Sequence, residues 1–485
     1  MQLFPKSSHL FARVFLPARL FSAAVLLLPA TLQAQRSATV TVDLKQTLNT
    51  VSDAAYGVGT SVYDNHFVEP DLPAKLKAAH VSTLRYPGGS YSDIYHWRTH
   101  SATSGQTIYI NPNDTFDNFM TKNVLPSGAQ AMITVNYGSN AAGNGGGDPL
   151  EAAAWVRYAN IEKKWKIRYW EIGNEVGGNG YFGSNGWELD LHSTETDKNK
   201  RVGLAALSPT AYGRNALDYI ATMKAVDPTI KLGVGIEVED EQGLAHNVQL
   251  LKVVGAKIDF LIEHWYPHDS ASNLAVTEQI PTRVQALRDQ LEKIAGPSAR
   301  NLPLAITETN GGAPGAARAL FATDTFLTWF ENGAFSVVWQ ELHPGFFSEG
   351  GDAPANAPVD TPTEAYYGLQ LAALAARPGD ALVKTASSAP MVAAHGIRRS
   401  DGSTAVVLIN RHPNQSYAVH MVLPDAPALA AAAKRYDFGR ANFQFNSPWA
   451  ASGIQESSVA AATDGYTIIV PALSETAVVI PAAKP

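Results

Sequence analysis

The chain has 485 residues, 45% of them hydrophobic and 17% charged, with a net charge of −7 and no cysteine. A charged share below the usual ~25% disfavours disorder, and 37 Lys and Arg against 44 acids argue against nucleic acid as a partner. The lack of cysteine excludes disulfides, thiolate metal sites, a thiol nucleophile and a lipid-modified cysteine, so chemistry must rest on carboxylates, hydroxyls, His or Lys.

In chain order, the first feature is a leader. Lys6, Arg13 and Arg19 precede an apolar run from Leu20 to Leu28, and small residues follow to Ala34. This pattern predicts a signal peptide over 1–34, too short for the ~20 apolar residues of a spanning helix. Its removal would take the charge from −7 to −10, because three cations and no acids leave with it. The mature protein is then expected to be secreted or periplasmic, with no membrane attachment. Oligomeric state has no sequence signal.

Apolar runs then alternate with amphipathic stretches eight times. The predicted strands are 54–60, 81–86, 130–136, 167–173, 230–236, 257–263, 302–307 and 333–339. The predicted helices are 70–79, 115–123, 149–161, 209–225, 243–254, 274–295, 316–331 and 363–376. Ser208-Pro209 has the form of an N-cap followed by proline in the first turn. Near-continuous apolar strands suit a parallel sheet buried on both faces. Eight βα units predict an α/β fold, a (β/α)8 TIM barrel over 51–376. An open doubly wound sheet is the alternative, but no glycine-rich phosphate turn follows the first strand.

From about Pro378 the pattern changes to short strands separated by turns such as Asp401-Gly402 and Asp464-Gly465. Residues 377–485 are expected to form an antiparallel β-sandwich domain. The alternating segment within 35–50 is expected to add a strand to it.

In such barrels, chemistry sits at the C-terminal ends of the strands. Those positions hold Arg85, Asn136, Asn174 and Glu175, His264 and Tyr266, Glu308, and Trp339 with Gln340. Two carboxylates on strands four and seven, facing each other across one mouth, are the apparatus of glycoside hydrolysis. The plainer role for each is capping a helix or pairing with a cation. Arg85 would hold Glu308 ionised, or would simply pair with Glu171 or Glu263. Trp97 and Trp339 would stack on a sugar face or fill the core. Gln340 and Asn136 are candidates to bind sugar hydroxyls, and His264 either touches substrate or is a satisfied core histidine.

Trp170-Glu171-Ile172-Gly173-Asn174-Glu175 and Ile306-Thr307-Glu308-Thr309 resemble the acid/base and nucleophile motifs of glycoside hydrolase clan A. Leu84-Arg85-Tyr86-Pro87-Gly88-Gly89 with His96-Trp97, and Ala152-Ala153-Ala154-Trp155 ahead of the fourth strand, are most similar to family 51 α-L-arabinofuranosidases. The resemblance covers about 37–485. It implies a retaining enzyme acting on a carbohydrate substrate, with Glu175 as acid/base and Glu308 as nucleophile. It further implies Asn174 on the 2-hydroxyl of the sugar and Tyr266 orienting Glu308.

Two departures touch the pocket. The family's glutamate after the first strand is absent from Gly57–Tyr63, and its asparagine after Pro-Gly-Gly is Ser90 here. The segment from Leu304 and the His264–Pro267 stretch also resemble family 44 endoglucanases. Endo-β-glucanase, β-xylosidase or β-glucuronidase-like activity therefore stand as alternatives, with a non-catalytic carbohydrate-binding protein as the alternative of another class. The long loops 176–207 and 343–361 carry aromatics suited to leaving-group subsites or to packing within the loop. Glu188, Asp190, Glu195 and Asp197 lack the ligand spacing of a calcium loop, so neither a metal nor a cofactor is expected.

Overall fold

The structure is a computed structural model that describes residues 36–482, apart from 238–240, 351–356, 425–429, 444–449, 451 and 463–464. The expected leader, 1–34, lies outside the described residues. Among the described residues no helix is long and apolar enough to cross a membrane.

Eight parallel strands close into a barrel in chain order: Tyr56–Gly59, Thr83–Tyr86, Gln130–Val135, Tyr169–Ile172, Lys231–Gly235, Phe260–Trp265, Leu304–Thr309 and Ala334–Trp339. They are called the first to eighth strands below. Almost all of their residues are buried, as sheets covered on both faces require. The N-terminal floor is plugged by Met132, Tyr169, Phe260, Ile262 and Ala305, with Tyr169 stacked on Phe335 at 5.0 Å. Gly233 makes room for this plug, because a Cβ there would collide with the Phe260 ring.

Local chemistry sets the surrounding helices. Ser208 caps Pro209–Val226, its hydroxyl accepting from the Ala211 amide at 3.2 Å. That helix buries Tyr212, Ala216, Tyr219, Ile220 and Met223, a stripe at three- and four-residue spacing. Asp148 caps the helix that starts at Pro149 in the same way. Between the sixth and seventh strands the expected single helix is a 3-10 segment, Leu274–Gln279, running into Ile280–Ala295.

Nine further strands form a second sheet. Arg36–Thr50 pairs antiparallel with Ala381–Ser387 and parallel with Tyr417–Val422, so the sheet is mostly but not wholly antiparallel. The other strands are Val392–Arg398, Thr404–Asn410, Ala432–Gly439, Gln455–Ala460, Tyr466–Val470 and Ser474–Ile480. They enclose a core of their own around Val40, Val42, Val406, Met421 and Ile468. This sheet packs against the barrel helix Ala316–Glu331 through Arg411 on Asp324 at 2.5 Å and His395 on Glu331 at 2.9 Å.

Candidate active site

Inward-facing residues alternate along a strand, so the mouth is built two residues above the floor. Above Met132 and Tyr169 come Thr134 and Glu171, and Arg85, opposite Met132 on the second strand, reaches up to them. The Thr134 hydroxyl donates to Glu171 at 3.0 Å, and Arg85 Nε donates to the two Glu171 oxygens at 3.2 and 3.0 Å. The same guanidinium reaches Glu308 Oε1 at 2.7 Å and Asn174 Oδ1 at 2.9 Å. Burial works against the charge of Arg85, but the neighbouring Glu171 and Glu308 carboxylates outweigh it and raise its pKa. Glu263, the other partner considered for Arg85, pairs with Arg283 at 2.8 Å.

The seventh strand carries an irregularity that matters here. Its register against the sixth shifts between Ile306 and Glu308, so Glu308 stands opposite His264. A bulge lets two consecutive side chains serve one face. Thr307 Oγ lies 3.1 Å from His264 Nε2, and Glu308 Oε2 accepts from the Tyr266 hydroxyl at 2.7 Å. Glu308 thus has one donor on each oxygen, and it is 6% exposed.

Glu175 follows the fourth strand and is partly open. Its Oε1 lies 2.8 Å from His264 Nδ1, and its Oε2 accepts from the Trp187 indole N–H at 2.6 Å. One oxygen each of Glu175 and Glu308 and a ring nitrogen of His264 lie within 4.8 Å of one another. Burial pushes the Glu175 pKa up, yet the His264 bond and charge, the Trp187 N–H and Arg85 hold it below the usual value. Burial works against the His264 charge, but Glu308 and the bond to Glu175 raise its pKa above the usual value. Both directions favour the imidazolium–carboxylate form of the pair. These three side chains also form a set that could ligate a cation, although the hydrogen bonds already made by His264 occupy both of its nitrogens.

The Gly88–Ser90 turn above the second strand draws in residues that sequence reasoning did not assign to the site. A Cβ on Gly89 would lie 3.3 Å from Glu308 Oε1, and Gly88 has φ +124 with Ser61 against it. The Ser90 hydroxyl donates to Glu188 Oε1 at 2.6 Å, and the Asn174 amide donates to the same oxygen at 2.9 Å. Asn174 is therefore oriented from both sides, its carbonyl on Arg85 and its amide on Glu188. Burial first, and then the Asp93 charge, push the Glu188 carboxyl up to about 8. Asp93, which accepts from the amides of Tyr137, Gly138 and Asn174, is pushed up to about 6 by burial. After the eighth strand, Glu341 Oε2 accepts from the hydroxyls of Ser61 and of Tyr63, the latter at 3.0 Å.

Several expected contacts are corrected. Trp97 is core, with Trp155 stacked on it at 5.5 Å and the Arg98 guanidinium 4.6 Å from its ring centroid, so no free face remains for a sugar. Trp339 is 2% exposed and packs beside Phe321. Asn136 spends its side chain on backbone, donating to the Tyr95 carbonyl and accepting from the Ser139 amide. Gln340 is half-buried: its Oε1 is sealed against Gly59, and its amide nitrogen is left as the group that could meet a hydroxyl. Phe346 and Phe347 are buried against Tyr366 and line no open subsite. The acids of the 176–207 loop do not converge: Glu188 enters the mouth, Asp190 holds Asn179 and His192, and Asp197 caps a short helix.

Two comparisons with known proteins bear on this geometry. Over 92% of the chain and the whole of its counterpart, the structure matches a GH51 α-L-arabinofuranosidase from Thermotoga petrophila with TM-score 0.71 and 18% identity. The chain shares the fold of the GH51 arabinofuranosidases. A Thermotoga maritima arabinofuranosidase solved with arabinose matches over 91% of this chain and 99% of its own at TM-score 0.70 and 18% identity. The likeness extends to a Paenibacillus polymyxa xyloglucanase of family 44, at TM-score 0.65, 12% identity and 92% of this chain. By sequence, the chain is 29% identical over 204 residues to an intracellular exo-α-L-arabinofuranosidase of Bacteroides ovatus, covering 33% of this chain and 38% of that one. A probable α-L-arabinofuranosidase C of Aspergillus fumigatus is 24% identical over 201 residues, 36% of this chain and 34% of its own. The chain thus spans little more than a third of the length of these curated relatives. No family model matches it.

Proposed function

We propose that this protein is a retaining glycoside hydrolase that releases α-L-arabinofuranosyl groups from neutral, plant-type glycans. The observation that carries the reading is the approach of Glu175 and Glu308, whose oxygens come within 4.8 Å across the mouth. Retaining glycosidases keep their two carboxyl groups ~5 Å apart, whereas inverting ones leave several ångströms more for a water. The names of the sequence relatives support the sugar.

In the first step Glu308 attacks the anomeric carbon as its bond to the leaving oxygen breaks, and Glu175 passes a proton to that oxygen. In the second, Glu175 takes a proton from water, the water oxygen attacks the anomeric carbon, and Glu308 leaves as carboxylate. Two inversions retain configuration. Arg85 and Tyr266 keep Glu308 ionised and aimed. Glu175 must hold a proton to act as acid, and in the resting site that proton sits on His264. When a sugar expels water, a neutral pair gains over an ion pair, so the proton crosses the 2.8 Å bond to Glu175. An amide has two N–H donors, and Asn174 gives one to Glu188. The other is left for the 2-hydroxyl of the sugar.

Glu175, Glu308 and Glu341 surround the mouth, with Arg85 and His264 as cations, so acidic sugars meet an unfavourable field. An endo-acting β-glucanase is the second reading. It is favoured by the family 44 likeness and by a cavity of about 380 Å³ beside Trp187, lined by Gly178, Phe182, Glu237 and His246, large enough for a leaving-group sugar. Turnover of 4-nitrophenyl glycosides set beside arabinan, xylan and β-glucan decides between the two. Release of arabinose with no shortening of β-glucan is expected. Chain shortening of β-glucan without aryl arabinofuranoside cleavage would replace the first reading by the second, and binding without any turnover would overturn both. N-terminal sequencing of the exported protein checks the proposed cleavage near Ala34.

A further inference from the structure

The Gly88–Ser90 turn runs past three glutamates. Gly89 lies against Glu308, Ser90 donates to Glu188, and Gly88 lies against Ser61, whose hydroxyl donates to Glu341. Backbone bonds lock the two loops together, with Thr60 N donating to the Arg85 carbonyl at 2.8 Å and Val62 N to the Pro87 carbonyl at 2.9 Å. Burial first, and then the charges of Asp64 and Glu308, push the Glu341 pKa up, so the Glu341 carboxylate lies near enough to Glu308 to feel its charge. Tyr63 also donates to Glu341, and its ring is propped by Tyr91 at 4.6 Å.

Both hydroxyl donors fall on Glu341 Oε2. Among the described residues Oε1 has no donor, and it is not sealed from solvent. A carboxylate held rigidly by one oxygen, with the other open beside a nucleophile, is a preorganised acceptor for O–H groups. Glu188 cannot take this role, because its Oε1 is used by Ser90 and Asn174 and its Oε2 is buried.

We propose that Glu341 Oε1 receives a hydroxyl of the sugar bound at Glu308, and so sets which neutral glycosyl group this site accepts. The proposal rests on the glycosidase reading. Glu341 recognises a donor hydroxyl, and a uronic acid carboxylate at that position is repelled. The loop after the eighth strand thus provides the ring anchor that no residue of Gly57–Tyr63 supplies as an acid.

The test pairs E341Q and E341A with single-hydroxyl deoxy versions of the aryl glycoside that the wild type cleaves. Loss of a hydrogen bond to a charged group predicts a fall of about 10–100-fold in kcat/KM for E341A on the full substrate. One deoxy substrate should lose as much on the wild type and lose nothing further on E341A. If every deoxy penalty is the same on both proteins, Glu341 only ties two loops and the proposal is overturned. E341Q keeps a carbonyl for Ser61 and Tyr63, so it covers the case in which E341A does not fold, and its thermal midpoint reports the loop-tying role separately. Calorimetric titration of free arabinose, xylose and glucose into E308Q, with and without E341Q, distinguishes failure of the parent reading. Binding that depends on Glu341 in a protein that hydrolyses nothing keeps the acceptor and removes the hydrolase. Binding indifferent to Glu341 removes the acceptor.

Discussion

The floor and the mouth of the barrel are built on the same strands, two residues apart, with opposite chemistry. Met132, Tyr169 and Ile262 pack a dry plug, while Thr134, Glu171 and His264 join a web of charges centred on Arg85. The floor needs only volume and shape. The mouth needs every buried donor matched to an acceptor, since a lone buried charge is costly. Stability and chemistry are therefore separable at the floor but coupled at Arg85.

The largest expected effect falls on chemistry. Glu308→Ala should lower kcat on an aryl glycoside by about 10⁴-fold or more, as loss of the proposed nucleophile would, with a smaller loss of thermal midpoint than for Arg85 because Arg85 keeps Glu171. Arg85→Leu should damage both properties. Removing one partner of a buried ion pair costs about 3–5 kcal/mol, and here it strands both Glu171 and Glu308, so urea unfolding and kcat should fall together. Phe260→Ala is the converse at the floor. It should cost about 3–5 kcal/mol of stability while kcat per folded molecule stays within about twofold of wild type. A large kcat loss in Phe260→Ala would show that floor and mouth are not separable.

The smaller effects concern protons. Glu188 has its pKa raised on folding to about 8, so its neutral form favours the fold. That contribution is complete below the carboxyl's unfolded value of ~4.3 and declines as pH rises toward about 8. Asp93, raised to about 6, follows the same sign over a lower window. The thermal midpoint should fall across this range, and Glu188→Gln should remove part of the fall while keeping the Asn174 bond. A Glu188→Gln profile identical to wild type would mean that Glu188 does not carry the proton. Above the raised pKa of His264 the Glu175 pair loses its shared proton, so kcat/KM should drop on the alkaline side. Trp187→Phe deletes a bond that lowers the Glu175 pKa. It should shift the pH–rate profile and reduce kcat by only a few-fold, most with poor leaving groups.

Much of the scaffold is legible in the primary chain because barrel strands are apolar throughout and the helices between them carry caps and stripes. In the second sheet, Gln455–Ala460 is exposed at nearly every position and so has no apolar run to read. Of the candidate site residues, Arg85, Asn174, Glu175, His264, Tyr266 and Glu308 meet at the mouth. Trp97 and Trp339 are absorbed by packing and Asn136 by bonds to nearby backbone, while Gln340 is half-buried with one oxygen sealed. Residue type could not separate these groups, since a tryptophan or an amide at a strand end serves a core as readily as a sugar.

The order of eight βα units, and the carboxylates at the ends of strands four and seven, were set by local pattern alone, because periodicity and strand-end position are properties of neighbouring residues. The partnership of Glu188 with Asn174, the seating of Glu341 on Ser61 and Tyr63, and the proton held between Glu175 and His264 were decided by tertiary structure. Each joins residues that no strand or helix period brings together, and each depends on burial and on an approach of about 3 Å. Those are the quantities that set the strength of a hydrogen bond and the pKa of a carboxyl, and no linear pattern encodes them.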